Sequence, residues 1–370
     1  MSSSIIPIQA VPPVKGRGSV SRMAHRFSRD ERSGFDDGWG TLEDARAILA
    51  VAPATRVTAQ PARSAISRND SPDIHFDHGL NPYRGCEHGC IYCYARPTHS
   101  YLGLSPGLDF ETRLIAKPNL PQLLARELQA AGYVPSQIVI GSATDAYQPV
   151  EREWRITRGV LEVLHACHHP LAIVTKGSGV ERDLDLLAPM AEQRLAAVYV
   201  TITTLDPRLA RILEPRAAAP HRRLRTIRTL AEAGVPVGVS VAPQIPFIND
   251  DMEQVLEAAA QAGARSAFYT VMRLPWELNS LFQEWLAQHY PERAERVMAR
   301  IREMRGGADN SSQFGARMTG SGIWAQLLRQ RFHKAADRLG LARARVELDL
   351  TQFRSARRQA AVASAQASLF

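Results

Sequence analysis

The stretch that decides the fold is Asn81-Pro82-Tyr83-Arg84-Gly85-Cys86-Glu87-His88-Gly89-Cys90-Ile91-Tyr92-Cys93-Tyr94-Ala95-Arg96. It holds three of the four cysteines in 370 residues, in a Cys-x3-Cys-x2-Cys arrangement. Thiolates this close together are typical ligands of one soft-metal centre. A cubane iron–sulfur cluster normally takes four cysteines, so three would leave one iron open to a small molecule. The alternative is a structural zinc site made by the three cysteines and His88.

The segment from Cys86 to Cys93 resembles the cysteine motif of the radical S-adenosylmethionine (radical SAM) superfamily, including the aromatic Tyr92 before the last cysteine. The resemblance implies a [4Fe–4S] cluster held by Cys86, Cys90 and Cys93, with S-adenosylmethionine chelating the fourth iron. It also implies that reduction of the cluster cleaves this cofactor to a 5′-deoxyadenosyl radical. A flavodoxin or ferredoxin would then be the electron donor.

The composition is that of an ordinary globular protein with an excess of basic residues. The chain is 45% hydrophobic and 22% charged, and 45 Lys and Arg against 37 Asp and Glu give a net charge of +8. A polyanionic partner and a simply basic surface explain this balance equally well. The few, clustered cysteines indicate a reducing compartment, and no stretch reaches the ~18 apolar residues of a membrane span. We therefore expect a cytoplasmic protein without membrane contact.

Alternating strands and helices surround and follow the cysteine stretch. We predict strands at 74–76, 138–141, 171–174, 197–202, 235–241 and 267–272. Helices are predicted at 120–131, 155–167 and 220–233, and another opens with a capping box at Asp250 and Glu253. This order predicts a parallel sheet with right-handed crossovers. Periodicity does not separate an open sheet from a barrel, but the resemblance implies a partial (βα)6 TIM-type barrel.

Four parts are expected along the chain. Residues 1–71 are rich in Ser, Arg, Pro and Gly and are predicted to be a basic, largely disordered extension with one possible helix at 42–51. Residues 72–275 would form the radical SAM core barrel. Residues 276–353 are predicted to be a C-terminal helical region with helices at 278–289, 291–304 and 323–339. Residues 354–370 would be a flexible tail.

Polar side chains lie where the predicted strands two to four end. Thr144 follows the second strand and Lys176 the third, where a lysine is placed to meet a carboxylate. Thr201, Thr203 and Thr204 lie at the fourth, with hydroxyls in reach of a ribose. In a barrel such positions belong to the active site. Turn chemistry and the preference of threonine for strands explain the same residues equally well.

The order of elements is similar to the spore photoproduct lyase-like branch of the radical SAM superfamily. In that branch, residues matching Thr144, Lys176 and Thr201 contact S-adenosylmethionine, and a pair matching Glu214-Pro215 recurs. The resemblance gives Tyr92 a place beside the cofactor as well. These residues are therefore the expected cofactor-binding set, and no further catalytic side chain is assigned.

One departure from that branch concerns the hydrogen donor. Spore photoproduct lyases carry a hydrogen-donating cysteine at the end of strand two, where this chain has Ser142-Ala143-Thr144. The remaining cysteine, Cys167, ends a predicted helix and is expected to be a half-buried structural thiol. Thymine-dimer reversal by a thiol relay is therefore not expected.

The chain ends in Gln366-Ala367-Ser368-Leu369-Phe370, after a low-complexity tether. These residues resemble the motif by which bacterial polymerases and repair factors bind the DNA sliding clamp, with Gln366, Leu369 and Phe370 as the contacts. Together the observations predict a radical SAM enzyme that acts on nucleic acid, with DNA favoured, as a lyase- or repair-type enzyme. The alternatives are modification of RNA or a peptide, and a non-catalytic, metal-stabilised adaptor between clamp and DNA.

Overall fold

A computed structural model describes residues 14–28 and 54–354. Six strands pair in chain order, and each neighbouring pair is parallel. They are β1 (His78–Leu80), β2 (Ile138–Ile140), β3 (Leu171–Thr175), β4 (Ala196–Thr201), β5 (Val237–Gln244) and β6 (Ser266–Val271). The short strand Ser67–Arg68 pairs antiparallel with β1 at the edge. The predicted partial (βα)6 barrel is confirmed.

Eight helices of eight or more residues lie in the described part of the chain. Five follow barrel strands: α1 (Leu120–Leu128), α2 (Ile156–Ala166), α3 (Leu184–Glu192), α4 (Pro220–Glu232) and α5 (Met252–Gln261). Three follow the barrel: α6 (Leu278–His289), α7 (Ala294–Glu303) and α8 (Gly322–Arg338). The predicted C-terminal helices are thus confirmed, with α7 beginning three residues later than expected.

Shorter elements complete the described fold. A three-stranded sheet consists of Arg56–Ala59, Arg113–Ala116 and Tyr83–Arg84. Short helices lie at Arg96–Leu102, Leu108–Thr112, Glu151–Trp154, Gly179–Asp183, Pro207–Leu213 and Ala316–Thr319. No helix among residues 14–28 and 54–354 is long and apolar enough to cross a membrane.

Alternation along the strands separates an inner layer from the layer that packs on the helices. Ala172 of β3 and both Ala197 and Tyr199 of β4 belong to an inner cluster, whereas their chain neighbours pack with the helices. Successive side chains of a strand point to opposite faces. Continuing the same parity places Thr201 and Lys176 on the inner side, at the ends where the strands leave the sheet.

Residues 342–348 cover the end of the barrel at which the strands begin. The backbone of Ala342 bonds to the start of β6, and the N–H of Val346 donates to the Tyr199 hydroxyl over 3.0 Å. Arg345 lies between two rings, 4.6 Å from the centroid of Tyr199 and 3.2 Å from that of Phe268. These residues cover the inner cluster at the amino ends of the strands. We call the segment 342–348 the stopper.

The first predicted strand is wrong in position. Residues 74–76 were expected as a strand, whereas β1 begins at His78. The triplet Ile74-His75-Phe76 belongs to a turn, in which the N–H of Ile74 donates to the Ser71 carbonyl over 3.1 Å and the Asn69 amide donates to the Phe76 carbonyl over 2.9 Å. Strand pairing therefore starts only where this turn has ended.

The predicted capping box is also wrong. Helix α5 begins at Met252, with no side-chain hydrogen bond at its N-terminus. The Glu253 carboxylate instead accepts two hydrogen bonds of 2.7 Å from Arg331 of α8. The Asp250 carbonyl accepts a third from the same guanidinium over 3.2 Å. The spacing of Asp250 and Glu253 predicted that the Glu253 carboxylate would cap the helix. In the structure this carboxylate instead forms an ion pair with Arg331 of another helix.

The described parts of the N-terminal extension lie on the barrel. Residues 14–28 run along the cysteine stretch, and residues 56–59 pair with residues 113–116 as a strand. The domain boundaries drawn from the sequence remain a prediction. The predicted helix at 42–51 and the tail with Gln366, Leu369 and Phe370 lie outside the described residues.

Candidate active site at the cysteine loop

The three clustered cysteines lie on the loop that follows the strand Tyr83–Arg84. Cys86 and Cys90 are buried and Cys93 is half-buried. Burial raises the pKa of the Cys90 thiol to about 12 and that of Cys86 well above its ordinary value, and the neighbouring thiols add to both shifts. Buried thiols become anionic ligands when a metal displaces their protons. Three of them gathered on one loop fit a metal cluster.

His88 has a partner of its own. Its Nδ1 lies 3.3 Å from the Asp145 carboxylate, which also accepts hydrogen bonds from the Thr175 hydroxyl (2.7 Å) and the Lys176 N–H (2.6 Å). Burial acts to raise the pKa of Asp145, but His88 and these donors hold it well below its ordinary value. This contact fixes the His88 ring and connects the cysteine loop to the segment that follows β2.

A buried ion pair fixes the backbone of the cysteine loop. Arg96 Nη2 lies 2.5 Å from Glu111 Oε1, and both side chains are fully buried. The same guanidinium donates to the carbonyls of Cys90 (2.8 Å) and Gly89 (3.0 Å). Charge-assisted bonds to main-chain carbonyls set the shape of a loop without using its side chains. The thiols thus remain available as ligands.

The N-terminal segment closes over this pair. The N–H groups of Gly18 and Ser19 each donate to the Glu111 carboxylate over 2.9 Å. A Cβ atom on Gly18 would lie only 1.8 Å from the Gly89 carbonyl oxygen, so no larger residue fits here without displacing the loop. The segment 14–28 is therefore part of the site's scaffold, which the composition of the extension did not indicate.

A second buried network joins the loop to β4 and α4. Glu214 Oε1 lies 2.5 Å from Arg223 Nη2, and the Tyr92 hydroxyl donates to the other Glu214 oxygen. The Tyr92 hydroxyl also lies 2.9 Å from the Thr203 hydroxyl, and Arg223 donates to the Thr201 carbonyl over 3.0 Å. Tyr92 therefore connects the cysteine loop to the end of β4. Arg223 was missed by sequence reasoning, although an arginine on the apolar face of its helix was a visible signal.

Lys176 lies beside this network as a half-buried cation. Its Nζ is 5.7 Å from the centroid of the Tyr92 ring, and this ammonium group makes no hydrogen bond or salt bridge within residues 14–28 and 54–354. Burial acts to lower the pKa of Lys176, but Cys90, Glu214 and Asp145 raise it above its ordinary value. The ammonium group is thus charged and available to an anionic ligand.

The predicted threonines divide into two kinds. The Thr201 hydroxyl has no hydrogen-bond partner in the described chain, and Thr144 makes only a long bond of 3.4 Å to the Tyr83 carbonyl. In contrast, the Thr203 hydroxyl bonds to Glu214 and the Thr204 hydroxyl donates to Asp251 over 2.8 Å. The expectation that Thr203 and Thr204 reach a ribose is therefore wrong, because protein partners occupy both hydroxyls.

Cys167 lies at the other end of the barrel. It caps α2 just before β3 begins, whereas the cysteine loop lies at the ends where the strands finish. It is half-buried, and burial raises the pKa of its thiol. These observations agree with its interpretation as a structural thiol.

Residues 80–259 match the model of the radical SAM superfamily. An uncharacterised protein of Mycobacterium tuberculosis is 36% identical over 234 residues, which cover 62% of this chain and 68% of that protein. An uncharacterised protein of Methanocaldococcus jannaschii is 28% identical over 218 residues, covering 59% and 78%. The chain belongs to the radical SAM superfamily. It is a radical SAM enzyme, and its cofactors are a [4Fe–4S] cluster and S-adenosylmethionine.

The fold is similar to solved structures of spore photoproduct lyase. A point variant of that enzyme superposes with a TM-score of 0.56 and 16% identity, covering 86% of this chain and 87% of the other. Another structure, with bound AdoMet and dinucleoside spore photoproduct, gives 0.55 and 16%, covering 77% and 81%. At this level of identity the likeness concerns the fold, and it agrees with the partial barrel.

Proposed function

We propose that this enzyme acts on nucleic acid, with DNA preferred to RNA or a peptide, as a repair-type lyase inside the cell. With the cluster and S-adenosylmethionine bound, the site supplies hydrogen abstraction by a 5′-deoxyadenosyl radical. We infer that the cluster is held by Cys86, Cys90 and Cys93. We infer that S-adenosylmethionine is positioned by Tyr92, Thr144, Lys176 and Thr201.

Lys176 carries the cofactor part of this proposal. A half-buried ammonium group without a hydrogen-bonding partner in the described chain is suited to the carboxylate of an amino-acid cofactor. The Thr201 hydroxyl lies on the same inner side of the barrel and is available for a ribose. The Tyr92 hydroxyl is bound by Glu214, which orients its ring beside the Lys176 ammonium group.

A pair of arginines without counter-ions carries the nucleic-acid part. Arg273 follows β6 and Arg305 follows α7, and no carboxylate of the described residues lies within 4 Å of either guanidinium. Arg273 Nε is buried without a partner, and its Nη1 meets only the sulfur of Met318, at 3.6 Å. The nearby Asp73 carboxylate is already bound by Arg317 through both oxygens.

Of the two, Arg273 is suited to an external anion, because the Arg305 guanidinium already donates to the carbonyls of Met272, Ala316 and Arg317 over 2.6–2.9 Å. Burial lowers the pKa of Arg305 to about 10, and the charge of Arg273 adds to this shift. Burial also lowers the pKa of Arg273, and the charge of Arg317 adds to that shift. A buried charge without a partner is costly, and an anion that binds there removes the cost. The Arg273 guanidinium lies 5.9 Å from the ring of Tyr94, the residue after Cys93. A phosphodiester bound by Arg273 would therefore lie beside the cysteine loop.

Three further points support DNA and limit the reaction. The spore photoproduct lyase structure of similar fold holds a dinucleoside photoproduct. The motif Gln366, Leu369 and Phe370 is expected to recruit the enzyme to the DNA sliding clamp. At the end of β2, the Ser142 hydroxyl accepts a hydrogen bond from Asn81 over 3.3 Å, and no cysteine lies there. The final hydrogen donor therefore differs from a thiol at this position.

The test is anaerobic reconstitution followed by product analysis. We expect damaged DNA to stimulate formation of 5′-deoxyadenosine and to be converted, more than undamaged DNA, RNA or peptides. Arg273→Gln should reduce this stimulation and leave DNA-independent cofactor cleavage unchanged. Arg228→Gln, which removes one exposed charge from α4, is the matched control. Stimulation by a peptide or RNA but not by DNA would overturn the proposal.

A further inference from the structure

Three exposed aromatic rings surround one arginine on the surface of the protein. The guanidinium carbon of Arg26 lies 4.8 Å from the ring centroid of Phe27, 5.0 Å from that of Tyr101 and 4.5 Å from that of Trp276. The rings remain 50%, 65% and 64% exposed, respectively. They come from three distant parts of the sequence. We call this group the aromatic platform.

The platform is held in place from below. Arg26 Nη1 bonds to both oxygens of Glu277, at 3.0 and 2.7 Å, and the Arg26 N–H donates to the same carboxylate over 3.0 Å. Glu277 is nearly buried and also accepts a hydrogen bond from the Ser100 hydroxyl over 3.2 Å. The arginine therefore has a fixed position, and the outer faces of the rings stay open to solvent.

The backbone at Trp276 supports a functional reason for this arrangement. Its φ of +47° lies in the left-handed region, which is costly for a bulky residue. Strained residues persist where the surrounding structure imposes them, and they cluster at ligand sites. Here the strain presents a large indole ring to solvent, where it gains little from burial. Folding stability alone does not explain a large aromatic ring at this exposed position.

The platform is built partly from segments that also contribute to the active site. Trp276 follows β6, and Tyr101 belongs to the short helix that continues the cysteine loop. The contact between Arg273 and the Tyr94 ring joins these same two segments. The carboxyl ends of parallel barrel strands meet at one edge. A strand of nucleic acid whose phosphate meets Arg273 would therefore pass close to the rings.

We propose that Phe27, Tyr101 and Trp276, gathered around Arg26, form a stacking platform for an unpaired base of the nucleic-acid substrate. The inference rests on the proposed function and names the substrate form: a base outside the double helix. Aromatic rings next to an arginine bind bases of any sequence by stacking, because every base has a π-face. The centroids of Phe27 and Tyr101 lie 5.3 Å apart with their planes at 42°, so the rings offer an angled surface.

The test measures binding of a fluorescently labelled single-stranded oligonucleotide to the full chain across a range of salt concentrations. Trp276→Ala and Tyr101→Ala should each weaken binding by about fivefold or more. The slope of log affinity against log salt should stay that of the wild type, because no phosphate contact is lost. Trp276→Phe should recover most of the affinity. Ile323→Ala, an apolar side chain of α8 that is 80% exposed, is the control.

The outcomes separate this inference from the proposed function. If the wild type binds and the alanine variants bind equally well, the platform is refuted and the proposed function stands. If the wild type binds no oligonucleotide even at low salt, both fail. A changed salt slope in Trp276→Ala would show that phosphate contacts were disturbed and would overturn the stacking assignment. Melting temperatures close to that of the wild type show that the variants remain folded.

Discussion

Replacing Glu111 by glutamine tests whether the buried ion pair with Arg96 holds the cysteine loop in place. Both side chains are fully buried, and the carboxylate also accepts hydrogen bonds from the N–H groups of Gly18 and Ser19. In Glu111→Gln the guanidinium loses its counter-ion, and the amide provides only one acceptor oxygen. Removal of one partner from a buried pair costs about 3–5 kcal/mol.

This cost is measurable as a melting temperature. For a domain of this size, each kcal/mol shifts the midpoint by about 2–4 °C, so the apoprotein variant should melt roughly 6–20 °C below the wild type. Iron content after reconstitution should fall too, because the carbonyls of Gly89 and Cys90 are positioned through Arg96. Differential scanning calorimetry and iron analysis provide the two readouts. A midpoint within about 2 °C of the wild type, with full iron content, would refute the reasoning.

A double variant separates stability from loop shape. Arg96→Met combined with Glu111→Leu removes both charges, and apolar replacement of a buried pair is often neutral. The melting temperature should therefore recover in part, because the N–H groups of Gly18 and Ser19 still lack an acceptor. Iron content should stay low because the bonds to the loop carbonyls are gone. Glu303→Gln is the control, since its partner Arg300 is also partly exposed and such pairs contribute about 0–1 kcal/mol.

Three further predictions concern the cofactors and the tail. Cys93→Ala should abolish bound iron and sulfide, whereas Cys167→Ala should leave both unchanged; loss in the second variant would refute the division of the cysteines. Lys176→Met should weaken S-adenosylmethionine binding in calorimetric titration and leave iron content unaltered, and equal affinity would remove the lysine from the site. Deletion of Leu369-Phe370, whose side chains would each contribute about 1.5–3 kcal/mol in an apolar groove, should abolish binding to the sliding clamp in a pull-down while cofactor cleavage continues. Equal binding of both forms would end the recruitment hypothesis.

The strands could be predicted where the local pattern and the tertiary pairing agree. Five of the six barrel strands are short apolar runs, and they lie within one to three residues of their predicted bounds. The strand β1 carries no such pattern, because its three residues are His78, Gly79 and Leu80. It is a strand because the backbone pairs with β2, which the residues themselves do not reveal. The strand was therefore predicted at Ile74-His75-Phe76, the triplet just before it, which has two large apolar side chains.

The candidate site could also be predicted only in part. Thiols at fixed spacing identify their own chemistry, so the cysteines were visible in the sequence. The residues that hold them were not, because Glu111 acts on Gly18 across 93 positions and Arg223 on Glu214 through a helix packed on a strand. Ionic partners at such separations follow from the fold. The threonines show that similar residues in a sequence can have different partners in the fold. Thr201 and Thr203 lie two positions apart, but only the Thr203 hydroxyl is bound to Glu214.

The stopper formed by residues 342–348 has a kinetic consequence. With Arg345 between Tyr199 and Phe268, residues 342–348 cover the inner cluster at the amino ends of the strands. We therefore expect ligands to enter and leave the barrel at the ends where the strands finish. The small cofactor would then have to arrive before the bulky substrate, and spent cofactor would leave only after the product had departed. We therefore expect a compulsory order of turnover, in which slow departure of the large partner limits the rate at which the small one is renewed.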